Sequence, residues 1–236
     1  MNKKDSQNDL PKEYRQGYAR FLGLKIDLTQ KTFIPRPETE FWTAAAIKHL
    51  AGSGQKDLKI LDLCCGSGCV GVAALKKLKT SCVRFVDIDG RAIRQTKINV
   101  KLNGIDPRRT KITRSDLFDK LPADARYDAI LANPPYIDKK RSAQVQLSVT
   151  KYEPAIALWG GGKNGLSAIK KIITGARHYL YGGLLYLEFD AAQRGDIEKM
   201  LSAAGYGEIE FASDQFERCR FVKAVFCNLD KKQKKA

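Results

Sequence analysis

Asn133-Pro134-Pro135-Tyr136 is the segment of this chain best suited to chemistry on a nitrogen atom. An amide or aromatic amino nitrogen is a poor nucleophile because its lone pair is delocalised into the neighbouring π system. Two acceptors aimed at its two hydrogens draw it toward a tetrahedral shape, so that the lone pair localises and can face an electrophilic carbon. Asn133 supplies one acceptor, its side-chain carbonyl. The two prolines fix the backbone and remove two N–H donors, which leaves the Pro134 carbonyl free as the second. Tyr136 would stack on the flat group and set its angle. Taken alone, the tetrapeptide is also a strong turn former, so its meaning depends on its setting. It follows the apolar run Tyr127 to Ala132 and so stands at the carboxyl end of a strand, where open α/β sheets bind ligands.

A second constellation lies upstream. Residues 58–71, LKILDLCCGSGCVG, read as a strand, a glycine turn over Cys64, Cys65, Gly66, Ser67 and Gly68, and the start of a helix. Glycine lets backbone pass close to a ligand, and the first-turn N–H groups of the helix lack partners. Gly66 to Gly71 matches GxGxxG, and Asp87 ends the next strand, as in a dinucleotide site. S-adenosylmethionine uses such a turn differently: the turn holds the methionine moiety and the acid takes both ribose hydroxyls. A nicotinamide enzyme has no use for Asn-Pro-Pro-Tyr, so S-adenosylmethionine is the expected cofactor. Asp62, just before the turn, is a candidate for the cofactor's ammonium group or for a turn-stabilising acid. Asp116 is placed to accept from the adenine amino group, with Leu117 or Phe118 covering the ring. Asp89 reads as a helix N-cap.

The elements that must position these residues follow from periodicity. Strand-length apolar runs alternate with segments of helical period, which predicts a parallel sheet covered by helices on both faces. Helices are expected near 38–50, 69–78, 90–102, 166–180 and 193–204, and strands near 58–63, 82–87, 111–114, 127–132, 184–189, 208–212 and 220–226. The last two strands have no helix between them and should pair antiparallel at the sheet edge. Residues 137–164 lack clean periodicity, carry Gly160-Gly161-Gly162, and are expected to face the substrate.

Composition bounds the partners. The chain has 236 residues, 43% of them hydrophobic, enough for one sizeable α/β core. No run approaches the roughly 20 apolar residues a bilayer crossing needs, and the first residues lack a signal core, so a cytoplasmic protein with no membrane partner is expected. The net charge of +16 attracts nucleic acid, a ribosome or another acidic partner, although solvated surface and tail lysines explain a good part of it. None of the six cysteines forms a CxxC pair, which favours reduced, mostly buried thiols over a metal site or disulfides. His49 and His178 read as ordinary helix residues.

With these residues in place, the sequence resembles the HemK/PrmC family of protein-glutamine methyltransferases, which modify the glutamine of the Gly-Gly-Gln motif in peptide-chain release factors. The resemblance covers about residues 20 to 227. Besides the glycine turn and Asn133 to Tyr136, it rests on Phe33-Ile34-Pro35-Arg36-Pro37-Glu38-Thr39-Glu40, on Tyr152-Glu153-Pro154, and on Ala157-Leu158 and Gly165-Leu166 beyond. It implies a class I, Rossmann-like methyltransferase fold: a seven-stranded, mostly parallel sheet with an antiparallel C-terminal hairpin. It also implies cofactor contacts at Cys64 to Gly68, Asp87, Leu117 and Asn133, substrate held by Asn133 to Tyr136, and Arg36 to Glu40 lining the site. Residues 1–20 are expected to be a flexible segment, 21–37 a short hairpin and lead-in, 38–228 the methyltransferase domain, and 229–236 a disordered basic tail. Two departures stand out: Cys64 occupies the position of the turn's first glycine, and about 20 residues precede the hairpin where family members generally carry a helical domain that engages the release factor. An adenine-N6 methyltransferase on DNA or RNA is the alternative, since adenine presents a similar amino edge. A cofactor-binding module without catalysis is the third reading.

Overall fold

The computed structural model describes residues 9–226. The basic tail and the first eight residues therefore lie outside the described residues. A seven-stranded sheet is built from β3 (Lys59–Leu63), β4 (Cys82–Asp87), β5 (Thr110–Arg114), β6 (Tyr127–Ala132), β7 (Leu180–Glu188), β8 (Gly207–Ser213) and β9 (Cys219–Phe226). A separate two-stranded hairpin, β1 (Tyr18–Phe21) and β2 (Leu24–Asp27), precedes it. The strand order is β5-β4-β3-β6-β7-β9-β8; the first five strands run parallel, and β9 pairs antiparallel with both β7 and β8. This is the class I methyltransferase arrangement expected from the sequence, with the C-terminal hairpin at the edge.

Helices cover both faces, as the alternation of side chains along each strand requires. Ile60, Phe85, Ala129 and Leu131 pack with Trp42, Ala46 and Leu50 of α2 (Pro37–Gly52), with Val72 and Leu75 of α3 (Cys69–Lys77), and with Val100 of α4 (Gly90–Leu102). Their neighbours Leu61, Val86 and Ile130 face the other way, toward Ile169 and Ile172 of α6 (Ser167–Ala176) and Ile197 and Leu201 of α7 (Arg194–Ala203). A short α5 (Leu147–Tyr152) interrupts the segment after β6, and α1 (Lys12–Gln16) precedes the hairpin.

Three boundaries differ from expectation. The hairpin begins at Tyr18, and α1 forms within the stretch expected to be flexible; Tyr14 is buried there and donates to the Thr32 carbonyl at 2.7 Å. Helix α6 stops at Ala176. Strand β7, expected from residue 184, starts at Leu180 and runs through Gly182-Gly183. The β6–β7 register slips between Tyr127 and Ala129, and a Cβ on Gly183 would stand 2.8 Å from the Asp128 carbonyl, so the glycine pair lets the strand continue through the irregularity.

The parallel registers align Leu63 with Val86 and Ala132, Asp87 with Arg114, and Ala132 with Leu187. The carboxyl ends of five strands therefore share one edge. The strand order reverses between β3 and β6, the switch point at which such sheets open a crevice.

Candidate active site

A cavity of about 300 Å³ opens at that edge, within the size range of small-molecule sites. Its walls bring together Asp62, Cys64, Cys65, Gly66, Ser67, Asp87, Asp116, Leu117 and the whole of Asn133 to Tyr136. Gly68, expected in the glycine turn's contacts, does not line it. Gly68 has φ +77° at the N-cap of α3, and a Cβ there would stand 2.9 Å from Thr96 Cγ2, so it serves close packing against α4. Phe118 is also absent from the walls; it stacks on Tyr179 with ring centroids 5.1 Å apart and leaves Leu117 to face the cavity.

The glycine turn is bent by left-handed backbone at Gly66 (φ +55°) and Gly68, and Cys64 adopts φ +60°. That is the region where glycine is favoured, so a cysteine at this position carries about 1–2 kcal/mol of local strain. Asp87 closes the turn: its carboxylate accepts from Gly66 N and from Asp89 N, both at 2.8 Å. Burial raises the Asp87 carboxyl above its ordinary range, while these backbone donors pull the other way. Asp89 accepts from Arg91 N and caps α4, as its position in the sequence indicated.

Asp62 is 2% exposed and accepts from Gly71 N at 2.8 Å. Burial pushes its carboxyl up to about 7, and the negative Asp87 adds to the rise. Gly71 has no room for a side chain: a Cβ would meet Phe85 Cε1 at 2.3 Å and Asp62 Oδ2 at 2.9 Å. The thiols of Cys64 and Cys65 are held well above their usual range by burial, with Asp87 reinforcing the effect, so they are neutral walls of the cavity.

The second half of the cavity surrounds Asn133. Its Nδ2 donates to Thr39 Oγ1 at 3.0 Å. Thr39 Oγ1 in turn donates to Glu188 Oε2 at 2.7 Å, and Trp42 Nε1 donates to the same oxygen at 2.6 Å. The other oxygen, Glu188 Oε1, accepts the Tyr136 hydroxyl at 3.0 Å. Glu188 is 1% exposed at the carboxyl end of β7. Burial raises its pKa, and the three donors oppose that rise. Among the described residues, no donor engages Asn133 Oδ1 or the Pro134 carbonyl. Both acceptors of the expected nitrogen grip are thus available on residues that line the cavity.

Glu188 was not singled out in the sequence. The available signal was an acid ending the apolar run Leu184 to Leu187, where a carboxylate survives burial only with several partners. Thr39 lay inside the expected wall segment 36–40; within that segment Thr39 reaches the cavity, Glu40 accepts from Leu22 N at 2.6 Å to brace the hairpin, and Arg36 pairs with Glu153. Glu153 is buried and also accepts from Ile34 N at 3.0 Å, which ties the segment before α2 to the one after α5.

The stretch after Tyr136 wraps behind the tetrapeptide. Ile137 N donates to the Leu158 carbonyl at 3.0 Å and Gly160 N to the Ile137 carbonyl at 3.1 Å. Gln193 Nε2 donates to the carbonyls of Tyr136 and Asn164 at 2.8 and 2.7 Å. Pro154, Ile156, Leu158 and Trp159 continue the cavity wall beyond Tyr136.

Comparison with known proteins places this geometry in context. The family model for the methyltransferase small domain matches residues 39–152. A release factor glutamine methyltransferase of Clostridium acetobutylicum is 32% identical over 218 residues, covering 92% of this chain and 75% of that protein. One of Francisella tularensis is 34% identical, covering 91% and 74% respectively. Among solved structures, a methyltransferase from Pyrococcus furiosus superposes with a TM-score of 0.65 at 15% identity, covering 94% of this chain and 98% of that one. The T. thermophilus 16S rRNA N2 G1207 methyltransferase in complex with AdoMet and guanosine gives 0.63 at 18% identity over 88% of this chain and 49% of that one. These structural likenesses bear on the fold.

Proposed function

The chain belongs to the release factor glutamine methyltransferase family and is an S-adenosylmethionine-dependent methyltransferase; on that premise we propose that its acceptor is the side-chain amide nitrogen of a protein glutamine, the one in the Gly-Gly-Gln motif of a peptide-chain release factor. The observation that carries this reading is the state of Asn133. Its NH₂ is committed to Thr39, so its carbonyl is the end turned to a substrate, beside a Pro134 carbonyl that no protein donor engages among the described residues. When bound, S-adenosylmethionine supplies a methyl carbon made electrophilic by its sulfonium.

The residues present fit that cofactor. Asp87 ends β4 with a carboxylate held by backbone donors, suited to two ribose hydroxyls. Asp62 is a buried acid beside the turn, suited to an ammonium group; the turn from Cys64 to Gly68 brings backbone close; Asp116 and Leu117 flank the adenine side. Asn133 and Pro134 orient the glutamine NH₂ by accepting its two hydrogens, Pro135 holds the bend, and Tyr136, anchored through its hydroxyl to Glu188, offers its ring to the flat amide. A basic surface that meets a ribosome or nucleic acid remains part of the proposal on charge alone.

The decisive experiment incubates the protein with a release factor and methyl-labelled cofactor. Label is expected on the factor and is expected to vanish when the Gly-Gly-Gln glutamine is replaced. Label that persists on that variant, or that appears on RNA or DNA, overturns the reading.

The elevated Asp62 pKa has a definite sign in binding. The ionised carboxylate is the form that pairs with a cofactor ammonium, so binding expels the Asp62 proton and affinity rises about tenfold per pH unit up to about pH 7. Above about 8 the ammonium itself loses charge and affinity turns down. Calorimetric titration from pH 5.5 to 8 is expected to show the acid limb in the native protein and a flat acid limb in Asp62→Asn, whose carbonyl can still accept from Gly71 N. A native profile independent of pH removes Asp62 from the ammonium site.

A further inference from the structure

The side chain of an asparagine offers an oxygen and an NH₂ at nearly interchangeable positions, and a 180° flip exchanges them. One flip state of Asn133 accepts a hydrogen from a substrate NH₂; the other sets donor against donor. Something in the protein must choose. The choice is made by a hydroxyl on the first turn of α2, at the cavity wall, and by a buried carboxylate at the end of β7.

Thr39 Oγ1 lies 2.7 Å from Glu188 Oε2 and 3.0 Å from Asn133 Nδ2. Glu188 Oε2 already accepts from Trp42 Nε1, a group that can only donate. The carboxylate therefore accepts the hydrogen bond of the Thr39 hydroxyl, and the Thr39 oxygen is left as an acceptor toward Asn133. Only the NH₂ end of Asn133 satisfies it. A flipped Asn133 would press its carbonyl on that oxygen, lone pair against lone pair, with a 2% exposed residue giving little access to water.

We propose that Thr39 is a positioning residue for methyl transfer: polarised by Glu188, its hydroxyl selects the end of the Asn133 amide that meets the acceptor nitrogen. The proposal rests on the reading of Asn133 as the nitrogen grip. Glu188 extends the same control to the other side of the grip, since its second oxygen holds the Tyr136 hydroxyl and hence the plane of the ring. Burial raises the Glu188 carboxyl above its ordinary range; the hydrogen bonds from Thr39, Trp42 and Tyr136, and the positive charge of Arg220, oppose that rise.

The test compares Thr39→Val, which keeps the shape and removes the hydroxyl, with Thr39→Ser, which keeps the hydroxyl. Thr39→Val is expected to lower kcat for methyl transfer to a release factor by about 10- to 100-fold, with the dissociation constant for S-adenosylmethionine within about threefold of native. Thr39→Ser is expected to restore kcat to within about threefold of native. A loss confined to KM or to cofactor affinity, or a serine variant as impaired as the valine one, overturns the proposal in favour of a packing role. The side-chain ¹⁵N–¹H signals of Asn133, identified by their loss in Asn133→Asp, provide a second arm. They are expected to be protected from solvent exchange in the native protein and in Thr39→Ser and to lose protection in Thr39→Val; unchanged protection overturns the proposal. If the native enzyme leaves every release factor unlabelled, the substrate reading fails, and the spectroscopic arm still decides the relay.

Discussion

Asn133→Ala is expected to abolish methyl transfer while leaving the affinity for S-adenosylmethionine within about tenfold, a change of roughly 1.4 kcal/mol. The asymmetry follows from how the cavity is divided. On the proposed reading, the cofactor half is built from the turn after β3, the acids at the ends of β3 and β4, and Leu117, with Asn133 at its border with the substrate half. Alanine keeps the backbone of the tetrapeptide, so the Pro134 carbonyl stays in place, but a single acceptor no longer constrains a nitrogen that must turn its lone pair toward the methyl carbon. Orientation and charge stabilisation of this kind supply several powers of ten in rate. Single-turnover kinetics and calorimetry separate the two quantities. Parallel loss of both would show that Asn133 acts chiefly on the cofactor.

Gly160→Ala is expected to be the most damaging single methyl that can be added near the site. A Cβ on Gly160 would stand 1.9 Å from the Gly165 carbonyl oxygen, 2.7 Å from the Gly165 carbonyl carbon and 2.8 Å from the Pro135 carbonyl oxygen. All three are backbone atoms, which cannot swing aside as a side-chain tip can. Either the 160–165 segment lifts off the tetrapeptide or the tetrapeptide shifts. Overpacking typically costs about 1–3 kcal/mol and occasionally more, and at this chain length each kcal/mol lowers Tm by about 2–4 °C. A fall in Tm of roughly 5–10 °C is expected. In the folded fraction, kcat should drop at least about tenfold, because a displacement near 1 Å at Pro135 misaims the neighbouring carbonyl. Gly195→Ala is the control: open space surrounds its Cβ position, and Tm is expected to hold or rise slightly. A Gly160 variant as stable and active as the control would mean that the wrap behind Tyr136 yields without strain.

What the sequence made legible was local. Helix α4 falls at Gly90–Leu102 as expected because an N-cap aspartate opens it and Asn103-Gly104 closes it, and β6 falls at Tyr127–Ala132 because a proline pair ends it. The glycine turn, Asp87 and Asn133 to Tyr136 could be assigned to one crevice from strand order alone. The hairpin was displaced because strands of four residues leave too little alternation to set their ends. The role of Glu188, its bond to Thr39 and the close approach of Gly160 to Gly165 were illegible for a different reason. Their partners lie 149 residues away in the case of Thr39 and Glu188, and on separate turns of a loop in the case of Gly160 and Gly165. Such contacts depend on which strand ends become neighbours, which no local pattern encodes. Gly68 shows the reverse limit, since the GxGxxG spacing marks it as a ligand contact whereas the approach of α4 puts it to packing.

One carboxylate joins α2, β6's terminal tetrapeptide and β7 through three hydrogen bonds. A chain in which β7 is not docked beside β6 lacks the anchor for both Thr39 and Tyr136. On the proposed reading, activity therefore reports that the early and late halves of the polypeptide have met.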